Sequence, residues 1–186
     1  YRDCIIMVMH IKSSVILTAI LDPQLYGQFV SSIMEVVQES ATESGISLVS
    51  VFSGYVVLAA LKSSVDLDDQ TTDYTKYIAK PFFFMGSFER RIGAFMAANQ
   101  FSVDGSIGIG IGTVSVGLVG RGKGNVDVVG DVFDLAYVCS TMEEEGVCVY
   151  ATRAFHEAAV SYNNLPSNFL ARQVTLQVGH IGIELF

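Results

Sequence analysis

Residues 105–136 read GSIGIGIGTVSVGLVGRGKGNVDVVGDVFDLA, and two incompatible structures compete for them. The part from Gly117 to Gly124 comes within one residue of a phosphate-binding loop, G-x-x-x-x-G-K-[ST], with Gly124 where Ser or Thr is required. Such a loop works because its glycines turn a strand directly into a helix N-terminus, from which Lys and a hydroxyl reach phosphate and Mg²⁺. Here the stretch ends a strand, the residues that follow (Asn125 to Val129) have the pattern of another strand, and the hydroxyl is missing. No G-x-G-x-x-G occurs in the segment either. The phosphate-loop reading fails on context. Upstream, Ile107, Ile109 and Ile111 alternate with Gly108, Gly110 and Gly112, and Val114, Val116 and Leu118 continue after a turn. This predicts a hairpin with glycines on one face, where another backbone or a helix approaches closely.

Outward from that segment the chain alternates strands and helices. Tyr1 to Ile11 is a β run in which Ile5, Ile6, Met7, Val8 and Met9 are continuously apolar, the mark of a strand buried on both faces. Asp22-Pro23 opens a helix, Asp22 as cap and Pro23 at the first helical position, with Leu25, Phe29, Ile33 and Val37 as its apolar stripe and Ser44-Gly45 as its end. Residues 46–52 and 55–61 are strands joined by the two-residue turn Ser53-Gly54. Residues 62–80 carry Asp66, Asp68, Asp69 and Asp73 with few large apolar residues, and are expected to be a solvated surface insertion. A calcium loop would need a central glycine and a terminal Glu that this run lacks. Pro81 is expected to open a second helix facing inward with Phe84, Phe88, Ile92, Phe95 and Met96. A strand at 126–129, a helix from Asp131 to about Met142, a strand at 147–150, a helix at 152–160 and a terminal hairpin of 174–178 with 181–186 complete the pattern. The order β-α-β-β-α-β-β-α-β implies an α+β or α/β sandwich with antiparallel hairpins, and excludes a doubly wound parallel sheet.

The bulk properties limit the function. The 186 residues suffice for one domain, 1–186, with a sizeable core. Half the residues are hydrophobic (51%) and only 16% are charged, so the chain folds. A formal charge of −8 without a basic stripe argues against nucleic acid as a partner. No apolar run is long enough to span a bilayer. The sequence starts at Tyr1 within a strand pattern, so it is read as a piece of a larger protein, which leaves membrane attachment of the parent open. Three cysteines, Cys4, Cys139 and Cys148, without C-x-x-C spacing suit a reducing, cytoplasmic setting better than a disulfide framework.

The glycine framework carries a resemblance. GIGIGTVSVGLVG at 108–120, followed by VDVVGDVFDLA at 126–136, resembles the catalytic domain of class III adenylyl and guanylyl cyclases, approximately G-I-H-T-G-x-V-x-x-G-x-x-G and then Y-D-x-x-G-[DN]-x-V-N-x-A. The opening strand, the helix at Asp22-Pro23 and the Ser53-Gly54 turn fall where that family has its metal strand, first helix and second metal turn. The resemblance covers nearly the whole chain. It implies a ferredoxin-like βαββαβ core with extra C-terminal strands and helices, in a domain that works as a dimer. In that family, a phosphorus–oxygen lyase family converting a nucleoside triphosphate to a cyclic nucleotide and pyrophosphate, two domains face each other head to tail around the nucleotide. Two Asp residues hold two Mg²⁺ or Mn²⁺ ions, and the opposite domain supplies an Asn, an Arg, a Lys and purine-reading residues.

At those positions this chain departs from the family. His10 stands in place of the first metal Asp and Ser53 in place of the second. A paired Mg²⁺ site needs hard anionic oxygens, which an imidazole and a lone neutral hydroxyl do not provide. Asp134 falls at the Asn position and Val138 at the Arg position. An Asp beside a triphosphate repels it, and losing a transition-state Arg costs on the order of 10³–10⁵ in rate in related phosphoryl chemistry. Gly179 falls near the Lys position and Val49 at the purine-selecting Lys. Only Asp127 remains at a position of purine recognition. No catalytic and no metal residue is expected of this domain, and a cation with ATP or GTP is expected only where a partner domain supplies the metal site.

The remaining candidates have plainer explanations. A lone histidine ending a buried strand, such as His10, is more often a hydrogen-bonded core residue than a ligand. His156 and His180 have no partner at ligand spacing. Asp131 precedes an apolar-periodic run and is expected to cap its helix. Arg121 and Lys123 lie in a Gly-rich loop where basic residues are usually solvated. Two functions fit: a degenerate cyclase domain that keeps the fold and its pairing surface as a regulatory module, or the non-metal half of a working heterodimeric cyclase. Either way the expected partner is another cyclase-type domain.

Overall fold

A strand that is apolar on both sides needs a core on each face of its sheet, and the fold provides two. The computed structural model describes residues 4–12, 19, 21–52, 54–60, 74–99, 102–119, 125–142, 147–162, 174–178 and 181–185. In chain order the elements are β1 (Cys4–Ile11), α1 (Pro23–Ser44), β2 (Ser47–Phe52), β3 (Tyr55–Ala60), α2 (Tyr74–Asn99), β4 (Gly105–Gly112), β5 (Ser115–Val119), β6 (Asn125–Val129), α3 (Asp131–Ser140), β7 (Val147–Ala151), α4 (Arg153–Ser161), β8 (Val174–Val178) and β9 (Ile181–Leu185). Five strands form the main sheet in the order β2-β3-β1-β4-β7, with β1 at its centre. Its first four strands pair antiparallel, the order of a ferredoxin-like βαββαβ unit, and β7 adds in parallel beside β4. The expected α+β class holds.

Side chains of β1 alternate between the two cores. Ile5, Met7, Met9 and Ile11 pack with α1, α2 and α4 on one face, while Cys4, Ile6 and Val8 pack with Val132 and Ala136 of α3 on the other. The helix α1 begins as expected, with Pro23 in its first turn and the Asp22 carboxylate accepting from Gln24 N at 2.6 Å. Gly45 ends it in the left-handed region at φ 63°, which glycine adopts without a Cβ clash. Phe29, Ile33 and Val37 form the buried stripe, but Leu25, expected to lead it, is 54% exposed. It lies within the helix's first turn.

Two further expectations need correction. The helix α2 starts at Tyr74, not Pro81, so residues 74–80 of the supposed surface insertion are helical and Pro81 is a buried interior residue. Two neighbours explain why the helix tolerates it. The Tyr77 hydroxyl donates to Ala60 O at 2.5 Å and accepts from Ile5 N at 3.2 Å, tying the helix to the ends of β3 and β1. Burying Ile78 adds about 1.5–3 kcal/mol. Together these offset the roughly 3 kcal/mol that an interior proline costs. The acidic residues 66–73 lie outside the described residues. Phe84, Phe88 and Ile92 face inward as expected, with Phe95 and Met96 half-buried against the same core.

The second correction concerns the glycine segment. The strands β4 and β5 do not form a hairpin with each other: β4 pairs with β1 and β7, and β5 turns away to pair with β6. A strand that must pair on both sides has no free edge for a hairpin partner. The glycine face of β4 instead receives α3. A Cβ built at Gly108 would lie 1.9 Å from Ala136 O, and one at Gly110 would lie 2.7 Å from Val132 Cγ2. The close approach expected there is therefore made by a helix. A further hairpin pairs β8 with β9, with Val178 opposite Ile181. Burial pushes the Cys4 thiol up to about 11 and the Cys139 thiol up to about 12, and no disulfide joins any of Cys4, Cys139 and Cys148. Among the described residues no helix is long and apolar enough to cross a membrane.

Candidate functional site

The end of β1, the β2–β3 turn and α3 meet at one corner of the sheet. His10 lies opposite Tyr55 of β3 and Ser106 of β4, and Ile11 N donates to Gly54 O at 2.9 Å. That bond ties Gly54, the residue before Tyr55, to the end of β1. Gly54 takes φ 84°, the left-handed backbone of a tight turn. Ser53 itself lies outside the described residues. On the other side of His10, Lys12 N donates to Asp104 O at 2.9 Å and Lys12 Nζ to Met142 O at 2.6 Å.

Aromatic rings occupy this corner. The His10 ring lies flat on Tyr55, with centroids 4.2 Å apart and planes 11° from parallel. Tyr55 also stacks with Phe52 at 5.5 Å and meets Tyr137 of α3 at 5.0 Å, and Tyr137 in turn lies 6.4 Å from Phe133. Burial, with a hydrogen bond between the two phenols second, pushes Tyr55 up to about 12. Burial is also the main cause that lowers the His10 pKa. The nearby Lys12 charge adds to it, and a hydrogen bond to the Ser140 backbone opposes it. His10 Nδ1 is buried without a hydrogen-bond partner. The expected hydrogen-bonded core histidine is thus half right: one nitrogen is served and the other is not.

The remaining sequence candidates are spread over this side of the sheet. Gly130 caps α3 at φ 153°, where a Cβ would lie 2.8 Å from Thr113 O, and its carbonyl accepts from Phe133 N and Asp134 N. Asp131, expected to be the cap, is instead the first helical residue, with Gly130 in the cap position. Asp134 is exposed and Val138 half-buried, one turn apart on α3. Asp127 pairs with Gly117 across the β5–β6 hairpin. Val49 is half-buried against the α3-side core. His156 lies on α4. The side chain of Asp127, together with Arg121, Lys123, Gly179 and His180, lies outside the described residues. Sequence reasoning missed Phe52, Tyr55 and Tyr137, although an aromatic on each side of a two-residue turn was a legible signal that the two rings would meet.

No protein-family model and no curated protein matches the sequence. Solved structures do. The adenylyl cyclase CyaB from P. aeruginosa aligns over 99% of this chain and 92% of its own, with a TM-score of 0.79 at 12% identity. The guanylate cyclase domain of RhGC from Catenaria anguillulae, in complex with GTP, aligns over 100% and 94% with a TM-score of 0.76 at 13% identity. The fold is that of the nucleotide cyclases. A non-canonical dimeric guanylyl cyclase domain of the RhoGC fusion protein from Blastocladiella emersonii also aligns, over 100% and 94%, with a TM-score of 0.72 at 13% identity. At such identities the likeness extends to the path of the chain and not to its chemistry.

The divalent cations expected of a cyclase do not suit this corner. Mg²⁺ and Mn²⁺ take hard oxygen ligands, and the β1 end offers an imidazole stacked on a phenol ring. Among the described residues no group of three or more His, Cys, Asp or Glu is placed to hold a metal ion.

Proposed function

We propose that this chain is a degenerate domain of the nucleotide cyclase fold, which pairs with another cyclase-type domain and regulates it without itself catalysing cyclisation. The observation that carries this reading is the ring stack at the β1 end, where His10 lies flat on Tyr55 at the point a cyclase would need two carboxylates. The exposed Asp134 and the half-buried Val138 on α3 support it, since neither stabilises a triphosphate. Likeness to a dimeric cyclase domain supports pairing. Titration calorimetry with non-hydrolysable ATP and GTP analogues, with and without Mn²⁺, tests it. Absence of binding in every condition is the expected result. Metal-independent binding lost in Asp127→Ala identifies a purine pocket kept for regulation, and binding that requires Mn²⁺ overturns the proposal in favour of a working cyclase half.

A further inference from the structure

Four aromatic rings run across one end of the sheet and reach solvent. Phe52 of β2 stacks on Tyr55 of β3 at 5.5 Å, Tyr55 meets Tyr137 of α3 at 5.0 Å, and Tyr137 lies 6.4 Å from Phe133. Phe52 is 40% exposed and the other three are half-buried, so the row forms part of the surface. Ring faces carry negative potential and attract a cation, most often a guanidinium, within about 6 Å of the centroid. No described residue supplies one here. Lys80 lies over Tyr77 at 5.6 Å on the α2 side of the sheet, and Lys12, close to His10, donates to Met142 O at 2.6 Å. Beside the row stands a carboxylate. Asp134 precedes Tyr137 by three residues on α3, which places their Cβ atoms about 5–6 Å apart. Its side chain is exposed and makes no hydrogen bond or ion pair with any described residue.

This combination selects among occupants. An anion is repelled by Asp134 and by a chain of formal charge −8. A wholly apolar partner would bury the carboxylate unpaired, which is costly. A guanidinium satisfies both features, since its flat face stacks on rings while its N–H groups donate to a carboxylate. We infer that Phe52, Tyr55, Phe133, Tyr137 and Asp134 form a docking surface for an arginine side chain of the partner domain. That the arginine comes from a cyclase-type partner rests on the proposed pairing, whereas the preference for a guanidinium belongs to this chain alone.

Aromatic ¹H–¹³C spectra of the whole chain, titrated with Nα-acetyl-arginine N-methylamide at ionic strength held constant with NaCl, measure that preference. The four rings should shift together and approach saturation with a dissociation constant of about 10–50 mM. The citrulline counterpart keeps the shape without the charge and should bind at least about fivefold more weakly. Asp134→Asn should weaken arginine binding about two- to fivefold, and because Asp134 is exposed this change leaves the core intact. Phe52→Leu, which keeps an apolar side chain without the ring, should weaken it by a similar factor of about two to five. Equal binding of the arginine and citrulline compounds overturns the inference, as does unchanged affinity in either variant or the absence of shifts at these rings. Failure here leaves the proposed pairing standing, whereas nucleotide binding that requires Mn²⁺ overturns the functional proposal and leaves the arginine site in place.

Discussion

A Cβ added at Gly108 would lie 1.9 Å from the Ala136 carbonyl oxygen and 2.7 Å from Cys139 Cβ, both on the α3 backbone or next to it. Neither can swing aside as the tip of a long side chain would. Gly108→Ala should therefore push α3 off the sheet and cost about 3 kcal/mol, the upper range for overpacking a core, read as a lower urea midpoint at unchanged slope. His10 poses a different single-residue question. Its folded pKa lies below the ordinary 6.5, chiefly through burial, so the folded chain favours neutral imidazole. Its contribution to stability is complete above 6.5 and is lost as pH falls through 6.5 towards the lower folded value. Lys12, just beyond the strand, adds a like charge, and Tyr55 stacked on the ring supplies no negative one that would rescue the cation. His10→Phe keeps a ring on Tyr55 and cannot titrate. The melting temperature of wild type should drop against that of His10→Phe between about pH 7 and 5, and parallel curves would show that His10 titrates alike in the folded and unfolded chain.

Among the elements, α2 shows which contacts matter to its placement. Tyr77 joins the helix to β1 and β3 through one buried hydroxyl that both donates and accepts. Tyr77→Phe leaves Ile5 N short of an acceptor inside the core and Ala60 O with only the weak Cys4 thiol donor, and should cost about 1–3 kcal/mol, with amide exchange at residues 74–80 rising more than elsewhere. The outer side of the same helix carries a network in which Arg91 pairs with Glu39 and Glu43, and Ser87 donates to Glu43. The two carboxylates are about half exposed and Arg91 is part-buried, so solvent screens the pairs and Arg91→Ala should cost roughly 1 kcal/mol, and a larger loss from Arg91 than from Tyr77 would reverse this ranking. The contrast also explains what the sequence revealed. Apolar period, Asp22-Pro23, Gly45 and Ser53-Gly54 are local signals, and they located β1, α1 and the β2–β3 hairpin correctly. The start of α2 depends on a hydroxyl reaching strands 17 and 72 residues away, which no local pattern around Pro81 contains. The pairing of β5 with β6 instead of β4 likewise depends on β4 being occupied on both edges. The ring corner was half legible: His10 and Ser53 stood out against the resembled motif, whereas the meeting of Tyr55 with Tyr137 required the fold that brings α3 against the hairpin.

At the scale of the molecule the decisive quantities are charge and uncovered apolar surface. Phe52 is 40% exposed, Val51 of the same strand is 50% exposed, and Val129 is 61% exposed on β6, which lies against β2. Covering them favours association, at roughly 25 cal/mol per Å² of apolar surface removed from water. The formal charge of −8 opposes association of two identical copies over distances of about 10 Å at 0.1 M salt. The balance between these effects predicts a salt dependence of unusual sign. Isolated chain at micromolar concentration should sediment as a monomer at low salt and self-associate as salt screens the repulsion, whereas ion-pair interfaces weaken under the same change. Val129→Asp adds charge to an exposed position that supports no core contact, so it should keep the chain monomeric at both salt concentrations with little change in melting temperature. A dimer that is indifferent to salt would show that charge does not govern pairing, and one that survives Val129→Asp would place the interface on another face. A chain that stays monomeric throughout, yet pairs with a less acidic cyclase-type domain, fits a regulatory partner whose net charge selects against its own copies.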